Sequence, residues 1–344
     1  MNALPRPADA PRDALGRPLR DLRLSVIEAC NFRCPYCMPA DRVPDDHGLE
    51  QHGLDSAARL SFDEIERLVR GFARAGVRKL RLTGGEPLLR RGLPDLVARL
   101  AAIDGLDDIA LTTNGSLLAS QARALRDAGL HRLTVSLDTL DPARFAALSG
   151  GRGDLAGVLR GLDAAGDAGF AQVKLNCVVQ RGVNDADVLP LVAFARERGH
   201  VMRFIEYMDV GTCNGWDATR VVPSADLRDA IHARWPLHAL DPQYRGEVAA
   251  RYGFDDGAGE VGFVSSISAP FCGDCHRARV SADGRLFTCL FAADGADLRP
   301  WLGDDAGFDR RLADLWQARG DRYSELRAGP RPSRRRVEMF LVGG

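Results

Sequence analysis

Residues 22–38 read LRLSVIEACNFRCPYCM, a β-rich run that leads directly into Cys30, Cys34 and Cys37. Thiolates spaced this closely on one loop can hold a single iron–sulfur cluster. Three protein ligands on a four-iron cluster leave one iron open, and an open coordination position is what a catalytic metal site requires. The alternatives are a zinc site with three cysteines and clustering without a metal. The loop therefore predicts a cluster with an open iron, placed directly after a strand.

Short β-rich runs alternate with helical patterns from this loop as far as residue 209. The first helical pattern spans residues 61–76, where Ser61 and Glu64 form the sequence signature of a capping box. Further helical patterns lie near residues 92–103, 116–128, 154–168 and 186–198. About six strand–helix units in succession indicate a parallel sheet with right-handed crossovers.

Six units are too few to close an eight-stranded barrel, so we predict an α/β fold built on an incomplete (β/α)6 partial barrel. A doubly wound sheet is the alternative, and both architectures place ligands at the carboxyl ends of the strands. Because 344 residues exceed the usual size of one domain, about 100–200 residues, we expect two domains. Residues 1–210 should form the barrel, and residues 211–344 a smaller C-terminal domain that caps its open side.

The unusual residues of the barrel region all follow β-rich runs. They are the cysteine loop, TGGEP (83–87), TTNG (112–115), SLD (136–138) and EYMD (206–209). Structural turns would scatter over both ends of the strands. The one-sided distribution therefore favours a site at the carboxyl ends.

The C-terminal part of the chain contains a second triplet, formed by Cys272, Cys275 and Cys289. Taken alone, this triplet could bind zinc with His276 as the fourth ligand, because three cysteines and one histidine are a common structural zinc set. A second open-iron cluster is favoured, since the first triplet already indicates that chemistry.

The composition argues against several classes of protein. A formal net charge of −1 argues against bulk electrostatic binding to nucleic acid. No stretch approaches the roughly 20 apolar residues of a membrane span, and the charged, proline-rich N-terminus lacks the apolar segment of a secretory signal. We therefore expect a cytoplasmic protein that binds neither nucleic acid nor a membrane. Clustered cysteines in such a protein indicate metal, while Cys177 and Cys213 are interpreted as ordinary thiols.

Polar side chains alternate with apolar ones in three β-rich runs. The polar stripes are Gln172, Lys174 and Asn176; Lys79, Arg81 and Thr83; and Arg23 and Ser25. A closed barrel normally fills its lumen with apolar side chains, so polar stripes indicate a wet lumen that could hold a phosphate. The alternative for any single stripe is a solvated edge strand.

Two further arginines follow Cys275, and a third lies in the run VMRFIEYMD (201–209). On an extended segment, Arg277 and Arg279 would point the same way, as a forked phosphate clamp; the alternative is a surface ion pair with nearby aspartates. Arg203 alternates out of phase with Met208, so one of the two must face away from the lumen unless the strand bulges. Arg203 is therefore a secondary candidate.

The spacing of the first triplet, with Tyr36 before the third cysteine, and Gly84-Gly85-Glu86 one strand later together resemble the radical S-adenosylmethionine superfamily. The resemblance implies that the open iron binds the amino and carboxylate groups of S-adenosylmethionine. It also implies that one electron cleaves the sulfonium and yields a 5′-deoxyadenosyl radical. In that superfamily the Gly-Gly-Glu segment meets the methionine amino group, to which Glu86 offers a carboxylate.

Nearly the whole chain, from about Gly16 to the terminal Gly343-Gly344, resembles the GTP 3′,8-cyclase family. The resemblance rests on both cysteine spacings, on RLTGGEPL (81–88) and LTTNG (111–115), and on the closing Gly-Gly. It implies a radical cyclisation of GTP to (8S)-3′,8-cyclo-7,8-dihydroguanosine 5′-triphosphate, the first step of molybdenum cofactor biosynthesis. The implied reaction begins when the 5′-deoxyadenosyl radical abstracts the ribose 3′ hydrogen.

The same resemblance implies a role for individual positions. Each triplet would hold a [4Fe-4S] cluster, and the second cluster would bind the guanine base. The contacts to S-adenosylmethionine would be Tyr36, Gly85, Glu86, Ser136 and Met208. The contacts to the triphosphate and ribose of GTP would be Arg23, Arg81, Thr112, Lys174, Arg277 and Arg279. Gly343 and Gly344 would reach into the active site and be needed for activity.

The resemblance also implies partners: an electron donor such as flavodoxin or ferredoxin, cyclic pyranopterin monophosphate synthase as the enzyme that receives the product, and a second copy in a homodimer. Two rival functions remain open from the sequence. A peptide-modifying radical enzyme with an auxiliary cluster usually carries more C-terminal cysteines than this triplet. A non-enzymatic iron–sulfur or zinc protein would be recognised by zinc with little iron.

Overall fold

The structure is a computed structural model that describes residues 10–41, 58–327 and 336–343. The strands in these residues are β1 (Asp21–Ser25), β2 (Lys79–Thr83), β3 (Asp108–Thr113), β4 (Arg132–Ser136), β5 (Lys174–Val179), β6 (Val201–Glu206), β7 (Leu237–Leu240), β8 (Ala250–Phe254), β9 (Glu260–Val264), β10 (Arg277–Val280), β11 (Arg285–Phe287) and β12 (Ala296–Asp297). The α-helices are α1 (Phe62–Arg74), α2 (Leu93–Ala101), α3 (Leu118–Asp127), α4 (Pro142–Leu148), α5 (Leu155–Asp167), α6 (Val188–Glu197), α7 (Ser224–Arg234), α8 (Asp305–Gln317) and α9 (Met339–Val342).

Strands β1 to β6 form the centre of one sheet in chain order, and each pairs in parallel with the next. Parallel neighbours need a long crossover, which a helix between successive strands supplies. The predicted partial barrel of six strand–helix units is confirmed. The helical patterns of the sequence coincide with α1, α2, α3, α5 and α6, whereas the short helix α4 has no counterpart among them.

Helix α1 shows how local sequence specifies these units. Ser61 Oγ accepts a hydrogen bond from Glu64 N at 3.2 Å, and Glu64 Oε2 accepts one from Ser61 N at 2.7 Å, so the predicted capping box is present. Ile65, Leu68 and Phe72 recur at helical spacing and are buried in the main core. Capping and periodic burial therefore act together to define where this helix begins and which face it buries.

The residues after 210 extend the sheet at both ends. Strand β10 pairs in parallel with β1, and β9 pairs in parallel with β6. Antiparallel strands β11 and β12 continue beyond β10, while β8 and β7 continue beyond β9. Strands from residues 1–210 and from residues 211–344 thus share one sheet, and the division of the chain into two domains at that point stays a prediction.

The apolar core lies between the sheet and the helices on its outer face. In β1, Leu22 and Leu24 are buried in this core, while Arg23 between them lines the opposite face. Strand β2 repeats the pattern with Leu80 in the core and Arg81 opposite. The inner face of the sheet is therefore polar. Among the helices that the structure describes, none combines the length and the apolar composition needed to cross a bilayer.

Candidate active site

The first cysteine loop follows β1 and is braced by the turn that follows β2. Gly85 N donates to Ile27 O at 2.9 Å, and Glu86 N donates to Ala29 O at 2.8 Å. A Cβ on Gly84 would lie 2.2 Å from Ile27 O, and one on Gly85 would lie 2.3 Å from Ala29 O. Both glycines are thus required by backbone contacts within the protein, because any side chain would push the two loops apart.

The Glu86 carboxylate is buried and accepts three hydrogen bonds from the chain. Its donors are Leu88 N at 3.0 Å, Thr113 Oγ1 at 2.7 Å and Asn114 N at 2.7 Å. Burial raises the pKa of Glu86 to about 7, although these hydrogen bonds act in the opposite direction. Glu86 therefore links the turns after β2 and β3, and its contact to a methionine amino group stays a prediction.

Two other predicted contacts to S-adenosylmethionine lie at the carboxyl end of β4. Tyr36 Oη donates to Asp138 Oδ2 at 2.7 Å, and Ser136 is the last residue of β4. Asp138 also accepts a hydrogen bond from Val178 N at 2.8 Å, and burial raises its pKa to about 6. Asp138 thus connects the cysteine loop to the ends of β4 and β5.

The C-terminal helix α9 lies between the two triplets. It contributes to a small apolar cluster that also includes Met38 and Phe287. Cys37 of the first triplet packs against this cluster, as does Leu290, the neighbour of Cys289. The apolar side chains of this helix therefore belong to a cluster that contacts both cysteine loops.

Gly343 follows α9 and reaches the inner face of the sheet. Its carbonyl accepts a hydrogen bond from Arg279 Nη1 at 3.1 Å, and its φ is +67°. A Cβ there would lie 2.1 Å from Thr83 Cγ2, so both the backbone conformation and the packing favour glycine. Gly344 lies outside the described residues.

The two cysteines outside the triplets are buried. Cys177 Sγ lies 3.7 Å from Asp138 O. Cys213 Sγ lies 3.6 Å from Cys37 O and 2.9 Å from Glu338 Oε2. Because Glu338 precedes α9, Cys213 lies where the C-terminal tail meets the first cysteine loop. Both thiols thus have polar contacts within the protein.

A large cavity lies against the inner face of the sheet, and the predicted residues that line it are Arg23, Arg81, Thr112, Lys174, Met208, Cys272, Cys275, Arg277, Arg279 and Cys289. All six predicted contacts to GTP therefore meet in one place with the second triplet. The lining includes nine lysine and arginine residues but only four aspartate and glutamate residues. Such an excess of positive charge in a recessed space attracts a polyanion.

Neighbouring strands orient the basic groups of this cavity. Arg81 Nη1 donates to Thr112 Oγ1 at 2.9 Å and to Thr134 Oγ1 at 3.0 Å. Burial lowers the pKa of Lys174 to about 7, and the positive charge of Arg203 acts in the same direction. Cations crowded in this way are stabilised by a bound anion more than isolated cations are.

Four basic residues of the cavity lie outside the predicted set, namely Lys79, Arg132, Arg203 and Arg319. Lys79 shares the polar stripe of Arg81, a signal that the sequence already offered. Arg203 and Met208 both line the cavity, because β6 ends at Glu206 and its alternation does not continue to Met208. Strand alternation predicted that only one of these two residues faces the lumen. This alternation does not apply beyond the end of the strand.

The positions of the strands also exclude the alternative that the polar stripes lie on solvated edge strands. Strands β1, β2 and β5 each pair on both sides, so none of them is an edge strand. Arg279 donates to Gly343 O, and Arg277 lines the same cavity. Both arginines of β10 thus face the lumen.

Positive charge also surrounds the second triplet. Arg319 Nη2 lies 3.2 Å from Cys275 Sγ. Burial acts to raise the pKa of Cys275, but the charges of Arg277 and Arg319 outweigh it and lower this pKa to about 6. Burial raises the pKa of Cys289 to about 12. The charges of Arg277 and Arg319 therefore favour the thiolate form of Cys275, the form that binds iron.

His276, the fourth ligand of the zinc alternative at the second triplet, contacts β1. His276 Nδ1 lies 3.2 Å from Asp21 Oδ2, so its ring is directed toward β1. In the part of the chain that the structure describes, no three Cys, His, Asp or Glu side chains converge on the position of one metal ion. Zinc holds its sulfur ligands about 2.3 Å from one centre, whereas a four-iron cluster keeps three cysteines farther apart.

Two protein families match consecutive parts of the chain. Residues 24–195 match the radical SAM superfamily, and residues 200–325 match the family Molybdenum Cofactor Synthesis C. The two matches meet between α6 and the start of β6.

Relatives that share most of the chain are named GTP 3′,8-cyclase. One from Xanthomonas campestris pv. campestris is 64% identical over 343 residues, which cover 99% of this chain and 100% of the relative. One from Acidothermus cellulolyticus is 52% identical over 361 residues, which cover 97% of this chain and 99% of the relative. One from Staphylococcus haemolyticus is 41% identical, with 97% and 98% covered.

Solved structures resemble the fold at low sequence identity. Streptococcus suis SuiB bound to S-adenosylmethionine has a TM-score of 0.59 at 15% identity, with 93% of this chain and 68% of SuiB covered. The protein anSMEcpe with bound AdoMet and a Cp18Cys peptide has a TM-score of 0.55 at 14% identity, with 94% of both chains covered. These similarities concern the fold alone, and they extend over both the six central strands and the C-terminal part.

Proposed function

This chain belongs to the GTP 3′,8-cyclase family of the radical S-adenosylmethionine superfamily, and we propose that its two cysteine triplets divide that family's reaction between them. The chain is an enzyme of molybdenum cofactor biosynthesis: it catalyses the cyclisation of GTP with S-adenosylmethionine and two [4Fe-4S] clusters as cofactors. Together, the bound cluster of the first triplet and S-adenosylmethionine supply the 5′-deoxyadenosyl radical that removes the ribose 3′ hydrogen.

The observation that carries this division is the composition of the cavity. It combines the second triplet with nine basic residues, and the first triplet lies outside its lining. A nucleotide triphosphate is the part of the substrate that needs such charge. We therefore assign GTP to the cavity, with the guanine base toward Cys272, Cys275 and Cys289.

The triphosphate and ribose are assigned to six residues: Arg23, Arg81, Thr112, Lys174, Arg277 and Arg279. Charge-assisted hydrogen bonds from arginine forks would hold the phosphate groups in one register. Arg203 and Lys79 line the same cavity, so we add both to this set. Fixed phosphates restrict where the ribose can lie, and this restriction lets one hydrogen meet the radical.

The residues around the first triplet are assigned to S-adenosylmethionine. They are Tyr36, Gly85, Glu86, Ser136 and Met208, with Met208 at the border of the cavity. The hydrogen bond from Tyr36 to Asp138 supports this assignment, because it orients the aromatic ring beside Cys37. Met208 would then lie where the two bound molecules approach each other.

Closure of the cavity fits the need to keep water from a radical. At the end where the strands begin, Lys79 Nζ lies 3.3 Å from the centre of the Tyr244 ring. At the other end, α9 and Gly343 fill the space next to Arg279. We propose that Gly343 and Gly344 complete the active site on this side.

The remaining partners are proposals that rest on family membership. An electron donor such as flavodoxin or ferredoxin would reduce the first cluster, and cyclic pyranopterin monophosphate synthase would receive the product. We also propose a homodimer and a cytoplasmic location, where the substrate GTP and such reductants are available.

Isotope transfer from labelled GTP tests the proposal. The enzyme is reconstituted anaerobically and supplied with reductant, S-adenosylmethionine and GTP deuterated at the ribose 3′ position. Deuterium should appear in 5′-deoxyadenosine, as detected by mass spectrometry. Unlabelled 5′-deoxyadenosine that forms equally without GTP would contradict the assignment of GTP to the cavity, although cleavage of S-adenosylmethionine by the enzyme would still be established.

A further inference from the structure

Arg319 lies directly behind the second triplet, just after the end of α8, and no motif of the sequence points to it. Its side chain is 1% exposed. Nη2 lies 3.2 Å from Cys275 Sγ, Nη1 donates to Cys275 O at 2.7 Å, and Nε donates to Thr288 O at 3.0 Å. One guanidinium group therefore contacts the segment of Cys275 and, through Thr288, the segment of Cys289.

A second buried arginine holds the third cysteine of the triplet. Arg17 Nη1 donates to Cys272 O at 2.7 Å. Asp13 Oδ2 accepts hydrogen bonds from Arg17 Nε at 2.6 Å and from Arg319 Nη1 at 3.0 Å, so one carboxylate joins the two arginines. The segments of all three cysteines are thereby connected through one buried network.

The contact between Nη2 and sulfur fits a ligated cysteine. A buried guanidinium group is stable only where its N–H groups meet acceptors. Asp13 and the carbonyl groups of Cys275 and Thr288 serve Nη1 and Nε, and the acceptor for Nη2 is Cys275 Sγ. A neutral thiol is a weak acceptor, whereas the thiolate of a cluster ligand accepts a charge-assisted hydrogen bond.

We propose that Arg319 is a positioning residue of the second cluster: it donates a hydrogen bond to the ligating Cys275 sulfur and, with Arg17 and Asp13, holds the three cysteine segments in place. This inference rests on the proposed function, because it takes a cluster to be bound at the second triplet. Hydrogen bonds to cluster sulfurs and nearby positive charge stabilise the reduced, more negative state. Arg319 should therefore make the second cluster easier to reduce.

The test isolates the second cluster in the full-length chain. Cys30, Cys34 and Cys37 are replaced by serine, and the protein is reconstituted anaerobically with iron and sulfide. Iron is counted per chain, and the midpoint potential is measured by a redox titration followed with electron paramagnetic resonance. Arg319→Gln should shift the midpoint to more negative potential. Arg319→Lys, which keeps the charge but loses the planar fork, should give a smaller shift.

Arg310→Gln is the matched control, since Arg310 is an exposed arginine on α8 and the substitution is the same. It should leave iron content, midpoint and spectrum unchanged. A wild-type midpoint and spectrum in Arg319→Gln with full iron would overturn the proposal, as would a shift to more positive potential.

If the Arg319→Gln variant does not hold iron, the Arg319→Lys variant tests the proposal instead. Retained iron with a midpoint shifted to more negative potential supports the proposal, and a wild-type midpoint overturns it. Loss of iron from both variants in chains with wild-type circular dichroism supports the positioning role, whereas loss that accompanies unfolding overturns a specific role for Arg319. The titration contains neither GTP nor S-adenosylmethionine, so its outcome is separate from that of the deuterium experiment.

Discussion

The two cysteine triplets offer the same three ligands, but Cys30 of the first triplet and Cys275 of the second lie in opposite electrostatic surroundings. At the first triplet, burial raises the pKa of Cys30 to about 11, and the charge of Glu86 adds to this effect. At the second triplet, burial acts in the same direction on Cys275, but Arg277 and Arg319 lower its pKa to about 6. Negative charge on sulfur is therefore disfavoured at Cys30 and favoured at Cys275, whereas burial and the charge of Asp321 raise the pKa of Cys289.

This difference bears on what each cluster can do. A cluster becomes more negative when it is reduced, so an environment of buried carboxylates and apolar side chains disfavours the reduced state. Such a cluster is a stronger electron donor once it has been reduced, which suits the cleavage of a sulfonium. Arginines beside the second triplet favour negative charge on Cys275 instead, and one of them, Arg277, is also assigned to the triphosphate. The same set of three cysteine ligands can thus serve two tasks, because the residues around each triplet differ.

Removal of one ligand from each triplet tests this division with the largest expected effect. Cys34→Ala should abolish 5′-deoxyadenosine formation, because the radical originates at the first cluster. Cys289→Ala should abolish cyclisation of GTP but retain slow, GTP-independent cleavage of S-adenosylmethionine. Both products are measured by mass spectrometry after anaerobic turnover.

Iron content serves as the control for this pair, since each variant should keep about half of the wild-type iron. Loss of S-adenosylmethionine cleavage from Cys289→Ala, in protein that still holds the first cluster, would contradict the separation of roles.

Neutralisation of the arginines on β10 should have the next largest effect. A hydrogen bond to a charged group is worth about 1.5–3 kcal/mol, so Arg277→Gln and Arg279→Gln should each weaken GTP binding by about tenfold to about a hundredfold, and the double variant should weaken it further. Calorimetric titration with GTP measures this loss, and Arg310→Gln is again the control for an exposed arginine. GTP-independent cleavage of S-adenosylmethionine should persist; if both activities fall together, the assignment of these arginines to GTP is wrong.

A smaller effect concerns the pH dependence of GTP binding. The pKa of Lys174 is about 7 in the free protein, because burial and Arg203 lower it. A bound triphosphate would raise this pKa, so binding should take up as much as one proton above about pH 7 and progressively less below it. GTP affinity should accordingly fall as the pH rises above about 7, by at most about tenfold per pH unit.

Calorimetry in buffers with different protonation enthalpies measures this proton uptake. Lys174→Gln should remove the part of the uptake seen above neutral pH. Equal uptake by the wild type and Lys174→Gln at about pH 8 would show that another group is responsible.

The smallest predicted effect is a loss of stability that leaves the difference between the two triplets unchanged. Ser61→Ala removes the capping box of α1 and should lower the free energy of unfolding by about 1 kcal/mol. Denaturant titration measures the loss, and the ratio of iron at the two triplets should not change. A selective loss of iron from one triplet would mean that the two sites differ in how they depend on the stability of the barrel.

Several elements could be predicted from sequence because their signals are local. The capping box at Ser61 and Glu64 lies within four residues, and the polar stripe of Lys174 and Asn176 lies within a single strand. The resemblance at both triplets likewise rests on short spacings. Residues after 210 carried weaker signals, since the strands there are short and two of them, β9 and β10, join the sheet beside β6 and β1, strands distant in sequence.

Arg203 and the C-terminal tail show what local patterns leave out. Strand alternation separates Arg203 from Met208, but β6 ends at Glu206 and the turn beyond it brings both to the cavity. The Gly-Gly tail would be a frayed end by itself. The position of α9, which precedes Gly343, depends on packing with Met38 and Phe287, which lie about 300 and 50 residues away along the chain.

The sequence by itself determined the parallel sheet, the two ligand sets and the basic stripes, because periodicity and short spacing are properties of neighbouring residues. The tertiary structure alone decided that Arg319 lies behind Cys275 and that the Glu86 carboxylate accepts hydrogen bonds from other residues of the protein. A charged side chain is buried only where distant segments together supply its partners. The partners that distant segments supply are therefore what distinguishes the surroundings of the two triplets.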